Sequence, residues 1–345
     1  MKKSTFISIL LLSLGISAAA QTDTQTVTQT AAQNATQPAS QDYPQDAPLW
    51  LRRNAISPDG SQIAFTYKGD IYLVNAEGGK AQQITTNSAY DSTPFWTPDG
   101  QSIIFSSYRE KSKDIYRVPA KGGTPTRLTF HPAHETPMAV LQDGSILFSA
   151  SMQHDTQYGN FPDGSQLYKI SPDGGRPEQV TSLQISNITV RPDNTIVYED
   201  YKGYEDPWRK HHTSSVTHDI WMCVPDKDPA VNLHPDHING NCTFTKLTSF
   251  KGEDRNPVLH GDNTLYYLSE QDGTFNVYRI DELATGGTTP EQVTFYKGNP
   301  VRHLSISQYG VLCYSYDGEL YTLNTLENGA QPQKVNIEIV TDQTE

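Results

Sequence analysis

The stretch from Tyr201 to Thr213 gathers side chains able to bind. Trp208, Arg209, Lys210, His211 and His212 form an aromatic and cationic cluster in a chain with 26 basic and 39 acidic residues, net charge −13. A cluster of this kind on a loop can meet a peptide, a carboxylate or a partner domain. It can equally be a long connection packed over a sheet edge, with Trp208 as its anchor. His211, His212, His218, His234 and His237 raise the question of a metal. None has the His-Glu-x-x-His spacing of a helical zinc site, and none sits in a Cys/His framework, so no metal or other cofactor is expected. His131-Pro-Ala-His134-Glu135 likewise offers no ligand spacing and is assigned to the surface.

Catalytic signatures are missing from the sequence. There is no Gly-x-Ser-x-Gly elbow and no Gly-rich phosphate loop between a strand and a helix. Carboxylates are numerous enough for a general acid–base pair, yet nothing singles one out. Three cysteines occur, Cys223, Cys242 and Cys313, without a Cys-x-x-Cys. In an oxidising compartment Cys223 and Cys242 could pair and staple the loop between them; the alternative is three free thiols.

The elements that must carry these residues begin after a targeting segment. Lys2 and Lys3, the apolar run Phe6–Ile16 and the small residues Ala18–Ala20 read as a secretory signal peptide over residues 1–20, cleaved before Gln21. Residues 21–46, rich in Thr, Gln and Ala, are too polar to bury a core and read as a disordered leader. The expected location is periplasmic or secreted. No later stretch has the ~18 apolar residues of a membrane span. An acidic chain without basic runs is a poor partner for nucleic acid.

Residues 47–345 read as a repeat of three signals in constant order. A Pro-Asp-Gly turn, or a decayed form, ends at Gly60, Gly100, Gly144, Asn194, Asn263 and Gly310. An Asp-Ile-Tyr-like strand follows at Asp70–Tyr72, Asp114–Tyr116, Gln166–Tyr168, Asp219–Trp221, Asn276–Tyr278 and Glu319–Tyr321. A strand ending in aliphatic-Thr closes each unit at Thr85, Thr129, Thr181, Thr248 and Thr294, with Asn336 in the last. Each unit thus holds strands A to D, with the turn between A and B. The fold class is all-β, a six-bladed β-propeller of four-stranded antiparallel blades. The blades span about 48–86, 91–130, 135–182, 185–249, 255–296 and 300–340. Aliphatic and Tyr residues of strands B and C are expected between blades, and the Asp before Ile-Tyr is expected to cap a local turn. Val335–Val340 is expected as the last D strand, closing the ring without a strand from the N-terminus; the alternative is that the segment before Ser57 adds to the last blade.

Ser57-Pro-Asp-Gly60 with Asp70-Ile-Tyr72, and Thr97-Pro-Asp-Gly100 with Asp114-Ile-Tyr116, resemble the repeats of TolB and tricorn protease propellers. Tyr204–His212 leading to Asp219-Ile-Trp221, and Leu247–Pro257 followed by Asp272–Tyr278, resemble the N-terminal propeller of secreted tricorn-like peptidases of Bacteroides-type bacteria. The resemblance covers residues 46–345. It implies a non-catalytic module that recognises or gates peptide or unfolded-protein substrates, or docks with the catalytic domains of such a peptidase. The family's nucleophilic Ser and its His belong to segments not found here, so no catalytic residue carries over. Two alternatives stand beside it: a free-standing TolB-like interaction scaffold, and a propeller enzyme acting on glycans or small molecules.

Overall fold

The computed structural model describes residues 48–152, 165–181, 183–202, 213–225 and 242–340. The signal peptide and leader readings, the cluster Trp208, Arg209, Lys210, His211 and His212, and His234 and His237 lie outside the described residues.

The turns set the architecture. Asp59 Oδ1 accepts from the Ser57 hydroxyl at 2.6 Å and the Ser61 N–H at 3.0 Å, while Gly60 takes a φ of 76°. Asp99 repeats this with Thr97 and Gln101, and Asp143 and Asp193 accept from the N–H two residues on. An Asx-type bond followed by a positive-φ residue reverses the chain tightly.

Strand A is innermost in each blade. Blade 1 holds β1 (Arg52–Ile56), β2 (Gln62–Tyr67), β3 (Asp70–Asn75) and, after β4 (Gly79–Lys80), β5 (Gln82–Gln83). Blade 2 is β6 (Asp91–Trp96), β7 (Ser102–Ser107), β8 (Asp114–Pro119) and β9 (Thr126–Arg127). Blade 3 is β10 (Thr136–Val140), β11 (Ile146–Ala150), β12 (Gln166–Ile170) and β13 (Glu178–Thr181). Blade 4 is β14 (Ile185–Val190), β15 (Ile196–Asp200), β16 (Ile220–Pro225) and β17 (Cys242–Lys246). Blade 5 is β18 (Asp254–His260), β19 (Thr264–Ser269), β20 (Asn276–Ile280) and β21 (Glu291–Gln292). Blade 6 is β22 (Arg302–Ile306), β23 (Val311–Tyr316), β24 (Glu319–Asn324) and β25 (Gln333–Lys334), followed by β26 (Ile337–Glu338). Every pairing within a blade is antiparallel.

The core lies between blades. Phe65 and Tyr72 of blade 1 pack with Cys313 and Leu320 of blade 6, and Ile71 and Leu73 pack with Ile103 and Phe105 of blade 2. The other junctions repeat the pattern around the ring. Burying each such side chain contributes ~1.5–3 kcal/mol, and only a neighbouring blade can supply the covering surface. A cross-strand aromatic pair recurs at Phe65–Tyr72, Phe105–Tyr116, Phe148–Tyr168, Tyr267–Tyr278 and Tyr314–Tyr321, with ring centroids 5.7–6.1 Å apart.

Two expectations are corrected. The Asp of Asp-Ile-Tyr does not cap a local turn; it ties strand C to strand D. Asp70 accepts from the Thr85 hydroxyl at 3.2 Å and from Gln83 at 3.0 Å. That Thr hydroxyl also accepts the Ile71 N–H, and Thr129, Thr248 and Thr294 do the same for Ile115, Ile220 and Val277. The Thr therefore recurs because it satisfies a backbone donor where strand D ends. Nor is Val335–Val340 the last D strand. Strand β25 ends at Lys334, and β26 leaves blade 6 to pair in parallel with β4 of blade 1. The Gly79 N–H donates to Asn336 O at 2.7 Å. Gly78, at φ 100°, lets Asn336 O approach to 2.6 Å of where a Cβ would stand. Blade 6 keeps all four of its own strands, and this latch closes the ring on blade 1.

Candidate functional site: the axial channel

The innermost strands β1, β6, β10, β14, β18 and β22 enclose a cavity of about 630 Å³. Its position follows from a feature shared by all six. Each carries a β-bulge near its start, where the register shifts against strand B. A bulge inserts an unpaired residue and re-aims it, here toward the axis. In five blades a residue of the bulge lies seven positions ahead of the last turn residue, Arg53, Thr93, Asn187, Asn256 and His303, while in blade 3 that position is Pro137, which stays paired with Phe148. Four of these have left-handed backbones, Arg53 (φ 50°), Thr93 (φ 60°), Asn256 (φ 53°) and His303 (φ 56°). Thr93 is β-branched and pays most for that conformation. Such strain concentrates where a fold presents groups to a ligand. Pro137 cannot adopt it, and Met138 lines the channel in its blade instead.

Two ring members are anchored. The Asn256 carboxamide donates to Leu304 O at 3.1 Å and accepts from the Leu304 N–H at 3.0 Å, bridging blades 5 and 6. Asn187 donates to Glu199 Oε2 at 2.6 Å. Glu199 is buried and takes two more roles: its Oε2 accepts the Asn256 N–H at 2.9 Å, and its Oε1 meets His218 Nδ1 at 2.7 Å. The His218 N–H donates to Glu253 Oε2, which also receives Arg255 Nε at 3.0 Å. Burial works against ionisation of Glu199, yet the His218 bond and charge, Arg255 and the Asn256 N–H hold its carboxyl below the usual range. Burial likewise opposes a charged His218, but Glu199 and then Glu253 hold it above the usual imidazole range. The result is a charge-balanced network running from the channel wall into the start of strand C of blade 4.

Of the other ring members only Arg53 carries a charge. Burial, then Arg53, Arg302 and Arg52, pushes His303 down to about 3, so it is neutral. Lys113, from the β7–β8 loop, donates to the Thr136 hydroxyl at 2.8 Å; burial and then Arg53 push it down to about 8. At the turn end of the channel Asp143 is partnered by Lys169 at 3.5 Å, and Arg191 and Gln308 also face the opening.

The residues singled out from sequence fare differently. The cluster Trp208–His212 lies in 203–212, outside the described residues; Lys202, just before it, donates to Thr217 O and Asp219 at the non-turn end of blade 4. His218 is not a solvated loop histidine but a buried partner of Glu199. Glu135 is not on the surface either: it is fully buried between blades 2 and 3. Cys223 and Cys242 lie on the neighbouring strands β16 and β17 without a disulfide between them, with the Cys242 thiol in hydrogen-bonding reach of Cys223. Among the described residues no group of three or more His, Cys, Asp or Glu is placed to hold a metal ion. No helix among them is long and apolar enough to cross a membrane. Sequence reading missed the channel ring because its members share a position rather than a residue type. The constant offset from the turn was the available signal.

A ring of four-stranded blades around an open axial channel, latched by its own C-terminal strand, defines a propeller domain. The chain belongs to the family described as the tricorn protease N-terminal β-propeller domain, whose model matches residues 48–329. It is 26% identical over 295 residues to tricorn protease homolog 1 of Streptomyces coelicolor, covering 85% of this chain and 25% of that protein. It is 24% identical over 227 residues to the tricorn protease homolog of Saccharolobus solfataricus, covering 64% of this chain and 19% of the relative. The chain thus spans a quarter or less of these relatives. The crystal structure of the tricorn protease superposes with a TM-score of 0.68 at 19% identity, over 86% of this chain and 27% of that one. TolB from Acinetobacter baumannii gives 0.55 at 17% identity, over 82% and 62%. At these identities the structural likeness concerns the fold alone.

Proposed function

We propose that this chain is a non-catalytic propeller module of a secreted or periplasmic tricorn-type peptidase system, which receives peptide in its axial channel and passes it to, or docks with, a catalytic part. The open cavity of about 630 Å³, walled by innermost strands that aim a polar ring inward, carries this reading. Sites that enclose small ligands run to ~300–1,000 Å³, so a short extended segment of peptide fits. The relatives named as tricorn proteases supply the peptide as the class of ligand.

The test is peptide binding and peptide hydrolysis by the purified 345-residue chain, beside a variant with the channel plugged. Ala139 lines the channel on β10, and Ala139→Trp fills part of it. Binding without hydrolysis, weakened about tenfold or more by the plug (about 1.4 kcal/mol), is the expected result. Hydrolysis that survives repurification, or binding indifferent to the plug, overturns the reading.

A second reading has its own observation. Tyr90, Tyr108, Phe130 and Phe295 are exposed large side chains on the B–C and D–A connections, which share one end of the blades, and Trp50 is exposed on the lead into β1. Aromatic side chains of this kind favour a protein interface. A 58-residue stretch is 40% identical to the Tol-Pal system protein TolB of Desulfosudis oleivorans. A stable protein partner with no affinity for peptides would favour this scaffold role.

A further inference from the structure

The chain as a whole is acidic, with 39 Asp and Glu against 26 Lys and Arg. Its channel is the reverse. Among the described residues, the charged ones lining the cavity are Arg53, Lys169, Arg191 and a single acid, Asp143. Lys169 is paired to Asp143, which leaves Arg53 near one end and Arg191 near the other. Neither takes part in an ion pair among the described residues. Arg191 Nε is buried without a hydrogen-bond acceptor.

The surroundings of Arg53 add to this. Lys113 and His303 both feel its charge, and Arg52 and Arg302 lie near enough to act on His303 as well. Holding like charges together in partly buried ground costs free energy. A chain with this excess of carboxylates could have neutralised them, as it does for Arg109 with Asp91 at 2.7 Å and Arg127 with Asp114 at 3.0 Å. Arg53 itself has no carboxylate partner among the described residues. The left-handed backbone at Arg53 costs further strain and keeps the guanidinium at the channel wall. Low-dielectric walls lined by one sign of charge focus the field and concentrate counter-charges inside.

We infer that the channel is selective for carboxylate-bearing peptides, with Arg53 and Arg191 as separated cationic contacts along the path. Arginine suits this role because its planar fork binds a carboxylate through two parallel hydrogen bonds and stays charged. The inference rests on the peptide-module reading and names the substrate class for it. The carboxylates could come from Asp and Glu side chains or from the chain terminus, and the two sources can be told apart.

The test uses the full chain and fluorescent peptides of equal length, alternating Ser with Glu, Gln or Lys, each with a free or amidated C-terminus. Binding is read by anisotropy at low salt and at about 0.5 M salt. At low salt the Glu peptide should bind roughly tenfold or more tighter than the Gln peptide, and the Lys peptide weakest. The ratio should fall severalfold at high salt, because the screening length shortens from ~10 Å at 0.1 M toward ~3 Å at 1 M. Arg53→Gln and Arg191→Gln should each lower the Glu-to-Gln ratio severalfold, and Arg53→Glu should lower it further. A preference that persists in amidated peptides assigns side-chain carboxylates. A preference confined to free C-termini assigns the terminal one; either supports the inference. Equal binding of all three peptides, or tightest binding of the Lys peptide, overturns the inference while leaving the peptide-module reading in place. Binding of none overturns both. The salt series on the unmodified chain keeps the test decisive if a variant does not fold.

Discussion

The interface between blades 2 and 3 and the interface between blades 4 and 5 bury a carboxylate at the same place in the repeat. Glu135 donates its N–H to Lys113 O, and Asp254 donates its N–H to His218 O; each acceptor directly precedes the first residue of its Asp-Ile motif. Each acid faces that motif's Asp, Asp114 or Asp219. In both places the motif Asp takes the cation, Arg127 for Asp114, and Lys202 and Lys246 for Asp219. Burial pushes both Glu135 and Asp254 up to about 7. The interfaces part company one residue earlier. At 4–5, Glu253 adds a second layer with Arg255, His218 and Glu199, and that layer reaches the channel through Asn187 and Asn256. At 2–3 there is no such extension among the described residues. An acid pair under a shared cation therefore belongs to blade stacking, and the compensated network belongs to the channel.

The sharpest way to break this comparison is Glu199→Ala. It leaves His218 charged or unpaired and strips acceptors from Asn187 and the Asn256 N–H. Removing one partner of a buried pair costs ~3–5 kcal/mol, read as a drop in the denaturant midpoint. The sign of the pH dependence follows from both partners. His218 is held above its unfolded value, so its contribution is present below ~6.5 and lost as pH rises through the folded value. Glu199 is held below its unfolded value, so its contribution is present above ~4.3 and lost as pH falls through the folded value. The gap between the native chain and Glu199→Ala should be widest between those limits. A cost under about 1 kcal/mol would make the network ornamental.

Blade 4 also differs from blade 2 in its outer strands, where Cys223 and Cys242 are diagonal neighbours with their thiols in hydrogen-bonding reach. Exchange with glutathione disulfide would oxidise the two thiols to a disulfide and reduce the reagent to two thiols. Cys242, partly exposed, attacks first, and Cys223 then displaces the glutathione. Titratable thiols should drop from three to one, and stability should rise by about 2–3 kcal/mol relative to Cys242→Ser under the same conditions. An unchanged thiol count after oxidation would remove the staple from consideration.

What was legible in the sequence divides along the same line. The blades were readable because the turn Asp and Gly, the Ile-Tyr strand and the closing Thr, or decayed forms of them, recur in constant order and do local jobs, as at Asp59, Tyr72 and Thr85. The role of Asp70 was misread because a motif shows that a residue recurs, not which strand it reaches. Glu135 looked like surface beside two histidines; only stacking of blade 3 on blade 2 buries it. Glu199 and His218 carry no local signal at all, being joined by the register of β15 on β16 and by the approach of blade 5. Arg53, Thr93, Asn256 and His303 share an offset but no chemistry, so a search by residue type passes over them.

The smallest effect separates scaffold from site most cleanly. Glu135→Gln replaces a fully buried carboxyl that forms no ion pair among the described residues, Arg127 being paired with Asp114. Its neighbours are Asp114, Arg127 and the Thr129 hydroxyl, and burial is the main force raising it to about 7. A folded value above the unfolded one means the native state binds the extra proton. The native chain is therefore favoured fully below ~4.3 and loses that advantage as pH rises to about 7. Gln stays neutral throughout and escapes the loss. Glu135→Gln should thus match the native chain near pH 4 and exceed it by up to about 3 kcal/mol near pH 8, measured by urea unfolding at both pH values. Peptide binding should follow Glu199 and not Glu135, because only the former touches residues that line the channel. If Glu135→Gln instead weakens the fold at pH 8, the buried acid is held by a partner, and the division between stacking acids and channel network fails at its simpler end.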